Sequence, residues 1–365
     1  MSIYISCGEP SGDHYAGSII RSLRKQTDEP IMGMLGPRGV AEQGEALWTI
    51  DQLSLMGSTD ILAAIPRLLR LKNTMVKFIL KEQPRRVIVI DSPDFHLPLI
   101  RSLRKKGFEN PIFYVAPPTV WAWRKKRVRT LRRYCTLLLP LLRFEHLYLT
   151  KHDVPSLWIG HPFLDETSSS GVTEPSGRII ALLPGSRTGE VKRLLPILVE
   201  SARQFQSMGY EPVFSIAPGL SSSIREKMKR DLRKWTLFEG RGKELMERSR
   251  MVVGASGTAS LEAMMANRFM IVVYKGSWLS WRIYKNFVKT PWVSLPNIMA
   301  HETVYPELLQ KEASSSRVME EAILYLDDPE VEKQKHEALM RGRKDLGVPG
   351  ATELWTQAIL KGGLP

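Results

Sequence analysis

Short apolar runs alternate with longer amphipathic stretches along most of the chain. The apolar runs that predict strands are Ile3–Ser6, Val87–Ile90, Ile112–Val115, Thr136–Leu139, Leu157–Ile159, Ile179–Leu183, Pro212–Ile216, Met251–Gly254 and Met270–Val273. Amphipathic stretches such as His14–Lys25 predict the helices between them. This alternation is typical of βαβ units around parallel sheets, so the pattern predicts an α/β fold.

The alternation is interrupted at residues 166–177, which are rich in Ser, Thr, Gly and Pro. Such a segment cannot bury a core and interrupts regular structure. We therefore predict a first α/β domain at residues 1–165, a linker at 166–177, a second α/β domain at 178–310 and C-terminal helices at 311–365. Two open α/β domains are expected to leave a ligand cleft between them, at the carboxyl ends of their strands.

The amino-acid composition limits the number of domains, the class of protein and the compartment that we expect. Its 365 residues suit two domains, and 43% of them are apolar, as in an ordinary globular protein. We see no apolar run of roughly 18 residues and no signal-peptide pattern. The two cysteines make no disulfide framework. We expect a soluble cytosolic protein.

The formal net charge of +14 indicates an acidic partner, and nucleic acid, anionic lipid or a phosphorylated substrate would each fit. The basic stretch Thr119–Arg133 contains Trp121 and Trp123, and taken alone it favours nucleic acid. The stretch Asp60–Lys81 is amphipathic and basic. It fits a helix in an anionic membrane interface and equally a helix packed on the core.

Two loops of the second half suit a phosphate group. Pro184–Arg187 follows a strand and combines a flexible glycine with an arginine, whose guanidinium matches phosphate oxygens. Ser256–Thr258 follows another strand and opens into a helix, whose N-terminus attracts anions. Glu262, one turn further on, can accept hydrogen bonds from a ribose. The alternatives are an ordinary turn and a routine helix cap.

Two loops of the first half also follow predicted strands. Asp91 and Asp94 come after the second of these strands, and either can serve as a general base if burial raises its pKa, or as a helix cap. His96 has no neighbours at metal-ligand spacing, so we expect metal-independent chemistry. In the loop Gly8–Asp13, Glu9 suits sugar hydroxyls, and Ser11 or Asp13 can cap the next helix.

Six motifs occur in one order along the chain. They are Gly8–Asp13, Asp91–Phe95, Val120–Arg124, Leu183–Arg187, Ser256–Glu262 and Val293–Asn297. As an ordered set they resemble the lipid-A-disaccharide synthases, and the similarity extends from Ile3 to about Leu309. Each motif alone is unspecific, so the order carries the resemblance.

The resemblance implies a GT-B fold of two Rossmann-like domains and an inverting transfer. In that family, diacylglucosamine passes from UDP-2,3-diacylglucosamine to the 6-hydroxyl of 2,3-diacylglucosamine 1-phosphate, which gives lipid A disaccharide 1-phosphate and UDP for lipopolysaccharide synthesis. The first domain would bind the acceptor and lipid, and the second the UDP-sugar. The C-terminal helices are expected to return to the first domain or to be exchanged within a homodimer.

The same resemblance assigns roles to single residues. It implies Asp94 as the base and Arg187 at the diphosphate. The residues that it places around the substrates are Glu9, Ser11, Ser186, Ser256, Gly257, Thr258, Glu262 and Asn297. It implies no cofactor, no nucleic-acid partner and a cytoplasmic protein that is peripherally bound to the anionic inner face of the inner membrane, with residues 60–81 contacting lipid.

Two positions depart from the family pattern, because His96 stands where we expect asparagine and Pro10 where we expect a small residue such as alanine. Two alternatives keep the fold and change the reaction: a peptidoglycan-type N-acetylglucosaminyltransferase and a UDP-sugar epimerase. A more remote alternative is a basic nucleic-acid-binding protein.

Overall fold

The computed structural model describes residues 2–53, 61–166, 177–276 and 290–364. The chain forms two compact units, residues 1–168 with 346–365, and residues 169–345. The predicted linker at 166–177 lies almost wholly outside the described residues.

The first unit is built on a parallel sheet of six described strands. They are β1 (Ile3–Cys7), β2 (Ile31–Leu35), β3 (Glu45–Thr49), β4 (Arg86–Ile90), β5 (Ile112–Val115) and β6 (Leu137–Leu139), in the order β3-β2-β1-β4-β5-β6. The helices are α1 (Pro10–Arg24), α2 (Pro37–Ala41), α3 (Ile61–Glu82), α4 (Pro93–Lys105), α5 (Arg127–Tyr134) and α6 (Arg143–Thr150), with 3-10 turns at Ile50–Gln52 and Pro162–Glu166. The predicted strand at Leu157–Ile159 is wrong, since the chain makes only isolated bridges on either side of it, from Ser156 to Leu138 and from Gly160 to Gly347.

Both faces of this sheet are buried, which explains its continuous apolar runs. Ile3 and Ile5 join one core cluster, whereas Tyr4 between them joins the cluster on the opposite face. Successive strand residues point to opposite faces. A parallel sheet with helices on both sides therefore needs apolar residues at nearly every strand position.

The second unit repeats the architecture. Its described strands are β7 (Ile179–Leu183), β8 (Glu211–Ser215), β9 (Thr236–Phe238), β10 (Met251–Ala255), β11 (Met270–Tyr274) and β12 (Glu307–Leu309), in the parallel order β12-β11-β10-β7-β8-β9. Its helices are α7 (Thr188–Ser207), α8 (Ser222–Asp231), α9 (Gly242–Arg248), α10 (Thr258–Met265), α11 (Leu295–Ala300), α12 (Ser315–Asp327) and α13 (Pro329–Lys344). Read from β9, this strand order matches that of the first sheet read from β3, and it is the order of Rossmann-like sheets. The predicted α/β class is confirmed.

The last helix, α14 (Ala351–Lys361), belongs to the first unit. It packs on α1, and its Trp355 and Ile359 are fully buried in the same core cluster as Ile3 and Ile5. The buried guanidinium of Arg86 donates from Nε to the carbonyl oxygen of Ile359 at 2.6 Å. The end of this chain therefore completes the core of its first unit, while α12 and α13 remain with the second.

Candidate active site

Each sheet has one point where the strand order reverses, between β1 and β4 in the first unit and between β7 and β10 in the second. Ligands of open α/β sheets bind beyond the carboxyl ends of the strands at such points. The loops that follow these four strands hold Glu9 and Asp91 in one unit and Arg187 and Gly257 in the other. The topology thus brings nearly all of the sequence-predicted site residues to one switch point in each unit.

The turn after β4 is unusual in its backbone. Asp91 and Ser92 have φ values of 53° and 42°, so two consecutive side-chain-bearing residues are left-handed. Each such residue costs roughly 1–2 kcal/mol. The carbonyl oxygen of Asp91 accepts hydrogen bonds from Tyr114 Oη at 2.7 Å and from His96 Nδ1 at 2.9 Å. Strained turns that are held in this way are typical of functional sites.

Asp91 is half-buried, and the Oδ2 atom of its carboxyl is shielded from solvent. Its Oδ1 accepts a long hydrogen bond from the backbone N–H of Gly8 at 3.3 Å. Its Oδ2 lies so close to Gly12 that a Cβ on that residue would collide with it. Burial raises the pKa of Asp91 to about 7, a hydrogen bond from Ser92 opposes this, and the charge of Glu9 adds to it. This group can therefore take or release a proton near neutral pH.

Asp94 lies three residues further on and has a different environment. It is in the first turn of α4, with 71% of its side chain exposed. Its carboxylate is paired with Arg124 Nη1 at 2.6 Å and with Arg127. The Arg124 guanidinium in turn stacks on the Trp123 ring, 4.2 Å from its centroid. The burial that we expected of the base is thus found at Asp91 and not at Asp94.

The first loop is shorter than predicted. Helix α1 begins at Pro10 and not at His14, because proline presets the helical φ and needs no N–H partner in the first turn. Ser11 consequently lies inside the helix and exposed, and it is not a cap. The buried carboxylate of Asp13 accepts from the N–H groups of Gly36 and Arg38, at 2.8 and 2.9 Å, so it caps α2 and not its own helix. Glu9, which precedes α1, is exposed.

In the second unit, the loop after β7 is organised by a residue that the sequence did not single out. The carboxylate of Glu190 accepts from the N–H groups of Ser186 and Arg187, at 3.2 and 3.3 Å. It also accepts from Arg187 Nη1 at 3.3 Å. Glu190 packs over Gly185, which has a φ of 112°. The two N–H groups are therefore occupied by a carboxylate, and the part of this loop that remains suited to an anion is the Arg187 side chain, which is 68% exposed.

The loop after β10 is open. Gly257 has a φ of 130°, which favours glycine. Apart from its two neighbours in the chain, no described residue has an atom within 4 Å of where its Cβ would be. Helix α10 begins at the exposed Thr258, and Ser256 Oγ donates to the carbonyl oxygen of Val293 at 3.5 Å. Glu262 is half-buried one turn into α10. This geometry leaves a helix N-terminus accessible to an anion.

Asn297 has a structural position. It is fully buried, and its side-chain oxygen accepts from Tyr305 N at 2.8 Å while Nδ2 donates to Glu307 Oε1 at 2.9 Å. A buried amide that is used in this way organises its surroundings. A contact of Asn297 with the substrates stays a prediction.

Glu307 was not among the site residues predicted from the sequence. Besides Asn297, its carboxylate accepts from Val293 N at 2.8 Å and from Ser294 Oγ at 2.7 Å. It therefore fixes the segment that contacts Ser256. The signal in the sequence was an acidic residue at the start of an apolar edge strand.

In the described part of the chain, no group of three or more His, Cys, Asp or Glu side chains is placed to hold a metal ion. Nor does any helix in these ranges have both the length and the apolarity to cross a bilayer. Metal-independent transfer stays a prediction.

The sequence matches a family model over residues 3–360, nearly the whole chain, and that model describes lipid-A-disaccharide synthetase. The chain belongs to the lipid-A-disaccharide synthetase family. The match confirms the resemblance drawn from the six motifs, and with it the prediction of a glycosyltransferase of lipid A synthesis. Curated relatives agree. The lipid-A-disaccharide synthase of Chromohalobacter salexigens is 34% identical over 98% of this chain and 96% of its own. That of Pseudomonas paraeruginosa is 33% identical over 98% of both.

Solved structures show how widely the fold of this family member is shared. A UDP-GlcNAc 2-epimerase of Methanocaldococcus jannaschii, in complex with UDP-GlcNAc and UDP, covers 99% of the chain with a TM-score of 0.63 and 14% identity. The glycotransferase of kitacinnamycin covers all of it, with a TM-score of 0.64 and 14% identity. At such identities the likeness concerns the fold alone. It confirms the predicted GT-B class.

Proposed function

We propose that this protein transfers diacylglucosamine from UDP-2,3-diacylglucosamine to the 6-hydroxyl of 2,3-diacylglucosamine 1-phosphate, with inversion at the anomeric carbon. The observation that carries the proposal is the buried Asp91 carboxyl, with its pKa raised to about 7, in a chain that matches its family from end to end. An attacking sugar hydroxyl needs such a base, because it is a poor nucleophile while it retains its proton.

The proposed reaction is a single displacement. As the 6-hydroxyl oxygen bonds to the anomeric carbon, its proton passes to the Asp91 carboxylate. The bond from that carbon to the diphosphate breaks, and UDP leaves with both bonding electrons. We assign this role to Asp91 in place of Asp94, because a carboxylate whose pKa is raised to about 7 can accept a proton near neutral pH. Asp94 is instead exposed and paired with two arginines.

The second unit is proposed to bind the UDP portion. The exposed guanidinium of Arg187 and the open N-terminus of α10 at Gly257 and Thr258 are both suited to diphosphate oxygens. Glu262 is proposed at the ribose hydroxyls, and Ser186 and Ser256 as hydroxyl donors beside the phosphates. In the first unit, Glu9 and Ser11 are proposed at the acceptor sugar. Asn297 and Glu307 are proposed to hold in place the segment at Val293 and Ser294, which contacts Ser256.

The direct test is release of UDP by the purified protein, incubated with both acylated substrates and followed in a coupled assay and by mass spectrometry of the disaccharide. UDP release that depends on both substrates is the expected result. A folded protein that releases no UDP from them would disprove the proposal. Omitting the acceptor is the control that separates transfer from epimerisation. An epimerase converts its UDP-sugar with no acceptor, and the fold likeness alone gives no reason to prefer that reaction.

We also propose that the protein binds an anionic membrane surface through the N-terminal half of α3. The helix has two different halves. Met75 and Ile79 in the second half are buried in the core, whereas Ile65 and Leu69 are 43% and 49% exposed. Arg67 and other cations lie among the exposed positions. Of the predicted stretch, residue 60 and the side chains of 61–64 lie outside the described residues.

Sedimentation with vesicles tests the membrane proposal. We expect binding to vesicles that contain anionic lipid, weaker binding to neutral ones, and a loss of binding in the double variant Ile65→Ser/Leu69→Ser. The matched control is Leu147→Ser, another exposed leucine, at 56%. Equal binding by both variants would refute the role of α3.

Two further predictions can be tested with the same preparations. Light scattering tests the predicted homodimer. Titration with nucleic acid at several salt concentrations tests the predicted absence of nucleic-acid binding.

A further inference from the structure

The turn that carries Asp91 is held by two side chains that never reach the carboxyl itself. Tyr114 comes from the neighbouring strand β5, and its hydroxyl donates to the Asp91 carbonyl oxygen at 2.7 Å. His96, in the first two turns of α4, donates to the same oxygen from Nδ1 at 2.9 Å. Both lone pairs of one peptide oxygen are thus used by side chains from different elements.

The histidine is itself fixed in one tautomer. A carbonyl oxygen can only accept, so Nδ1 carries the proton and Nε2 is free to accept from Ser6 Oγ, 2.9 Å away on β1. The ring is fully buried. Burial lowers the pKa of His96 to about 4, so the neutral form persists at physiological pH. The chain Ser6–His96–Asp91 carbonyl therefore joins β1 to the turn after β4.

This arrangement has a consequence for the carboxyl. Left-handed backbone at Asp91 and Ser92 is unfavourable for residues with side chains, so the turn keeps this form only while its surroundings hold it. If the carbonyl were released, the peptide could rotate toward an ordinary conformation. The attached carboxyl would then leave its place against Gly8 and Gly12 and become hydrated.

We propose that His96 and Tyr114 are positioning residues for the transfer reaction, which keep the Asp91 carboxyl in its buried place by clamping the carbonyl oxygen of the same residue. The inference rests on the proposed function, since Asp91 has a catalytic task only there. It gives His96, which stands where asparagine is expected, a defined structural link to the base.

Three substitutions test the clamp. Tyr114→Phe removes one hydroxyl and keeps the ring; His96→Leu removes the other donor; His96→Asn keeps a side-chain N–H at the position of Nδ1. The matched control is Tyr325→Phe, which removes a hydroxyl that bonds to His336 Nε2 at 2.9 Å in the second unit. We expect Tyr114→Phe and His96→Leu each to lower kcat about tenfold without weakening UDP binding, and His96→Asn to retain most of the activity.

The pH profile separates positioning from mere stability. The groups around the Asp91 carboxyl are Glu9 before α1, Cys7 at the end of β1, His96 on α4 and Tyr114 on β5. Activity needs Asp91 deprotonated, so the wild-type rate should fall as the pH drops through about 7. In Tyr114→Phe and His96→Leu the carboxyl becomes hydrated, and this fall should move to lower pH. A purely structural loss, as in Tyr325→Phe, would reduce the rate equally at every pH.

The outcomes remain distinguishable. If the wild type releases no UDP, the proposed function fails. Carbon-13 NMR titration of the Asp91 carboxyl, assigned with Asp91→Asn, still shows whether Tyr114→Phe lowers its pKa. If the wild type is active but both clamp variants keep its kcat and pH profile, the clamp is refuted. Should His96→Leu not fold, Tyr114→Phe decides alone.

Discussion

The turn after β4 and the turn after β10 occupy equivalent places in their two sheets and are built in opposite ways. The first is closed: its Asp91 carbonyl has two side-chain donors and its carboxyl is buried. The second is open: the Cβ position of Gly257 is clear of other described residues, and Thr258 is exposed. Shielding from water raises the pKa of a carboxyl toward the range in which it can serve as a base at neutral pH. Binding of a diphosphate at a helix N-terminus needs accessible backbone N–H groups. Under the proposed function, the same topology would serve the transfer step in one unit and UDP binding in the other.

The largest effect is expected from Asp91→Asn. The amide cannot accept the proton, so kcat should fall about 10²- to 10⁴-fold while UDP binding, measured by calorimetry, stays unchanged. The matched control is Asp94→Asn, three residues away, which should keep the pH profile. Loss of activity in Asp94→Asn alone would restore Asp94 as the base and break the comparison.

Arg187→Ala should have the next largest effect, and this effect should appear as weaker UDP binding. Loss of a charged hydrogen bond to phosphate should weaken UDP binding roughly tenfold to a hundredfold. Arg203→Ala is a close control, because this arginine is also exposed and also pairs with a glutamate three residues away on α7. Equal UDP affinity in the two variants would remove Arg187 from the site.

Gly257→Ala tests whether the backbone itself forms the open turn. The new methyl group would meet no described atom, so any loss comes from the φ of 130°. We expect the free energy of unfolding to fall by about 1–3 kcal/mol, with several-fold weaker UDP binding. Gly209→Ala, at a φ of 82° in similarly open space, should lose stability without changing UDP affinity. Unchanged affinity in Gly257→Ala would argue against an anion at this turn.

The smallest effect is expected from Glu307→Gln, which acts through Val293 and Ser294. The new amide group cannot accept all of the hydrogen bonds that the carboxylate accepts. Stability should fall by about 1–3 kcal/mol, and UDP affinity only a few-fold. The exposed Glu302→Gln is the control, and thermal unfolding with and without UDP measures both quantities. A stability loss with no change in affinity would confine Glu307 to a structural role.

Much of this candidate site could be predicted from the sequence, because it depends on which residues directly follow each strand. A strand that ends in Asp91 or in Ser256 places those residues at a carboxyl edge in any parallel sheet. Four strands, β2, β3, β9 and β12, were not predicted. The first contains Gly33, which adopts a φ of 151°, and the second is a partly exposed edge strand without a continuous apolar run.

The features that could not be predicted from the sequence depend mostly on residues that are distant along the chain. The amino-acid sequence alone determined most of the alternation of strands and helices, the family, and the four loops that we propose to form the site. Only the tertiary structure decided which aspartate is shielded from water, because the partners of Asp91 come from the loop after β1, from β5 and from α4. It also decided that Asp13 caps α2 and that Asn297 is internal. Burial and hydrogen bonding are sums over elements brought together by folding, and no local pattern contains them.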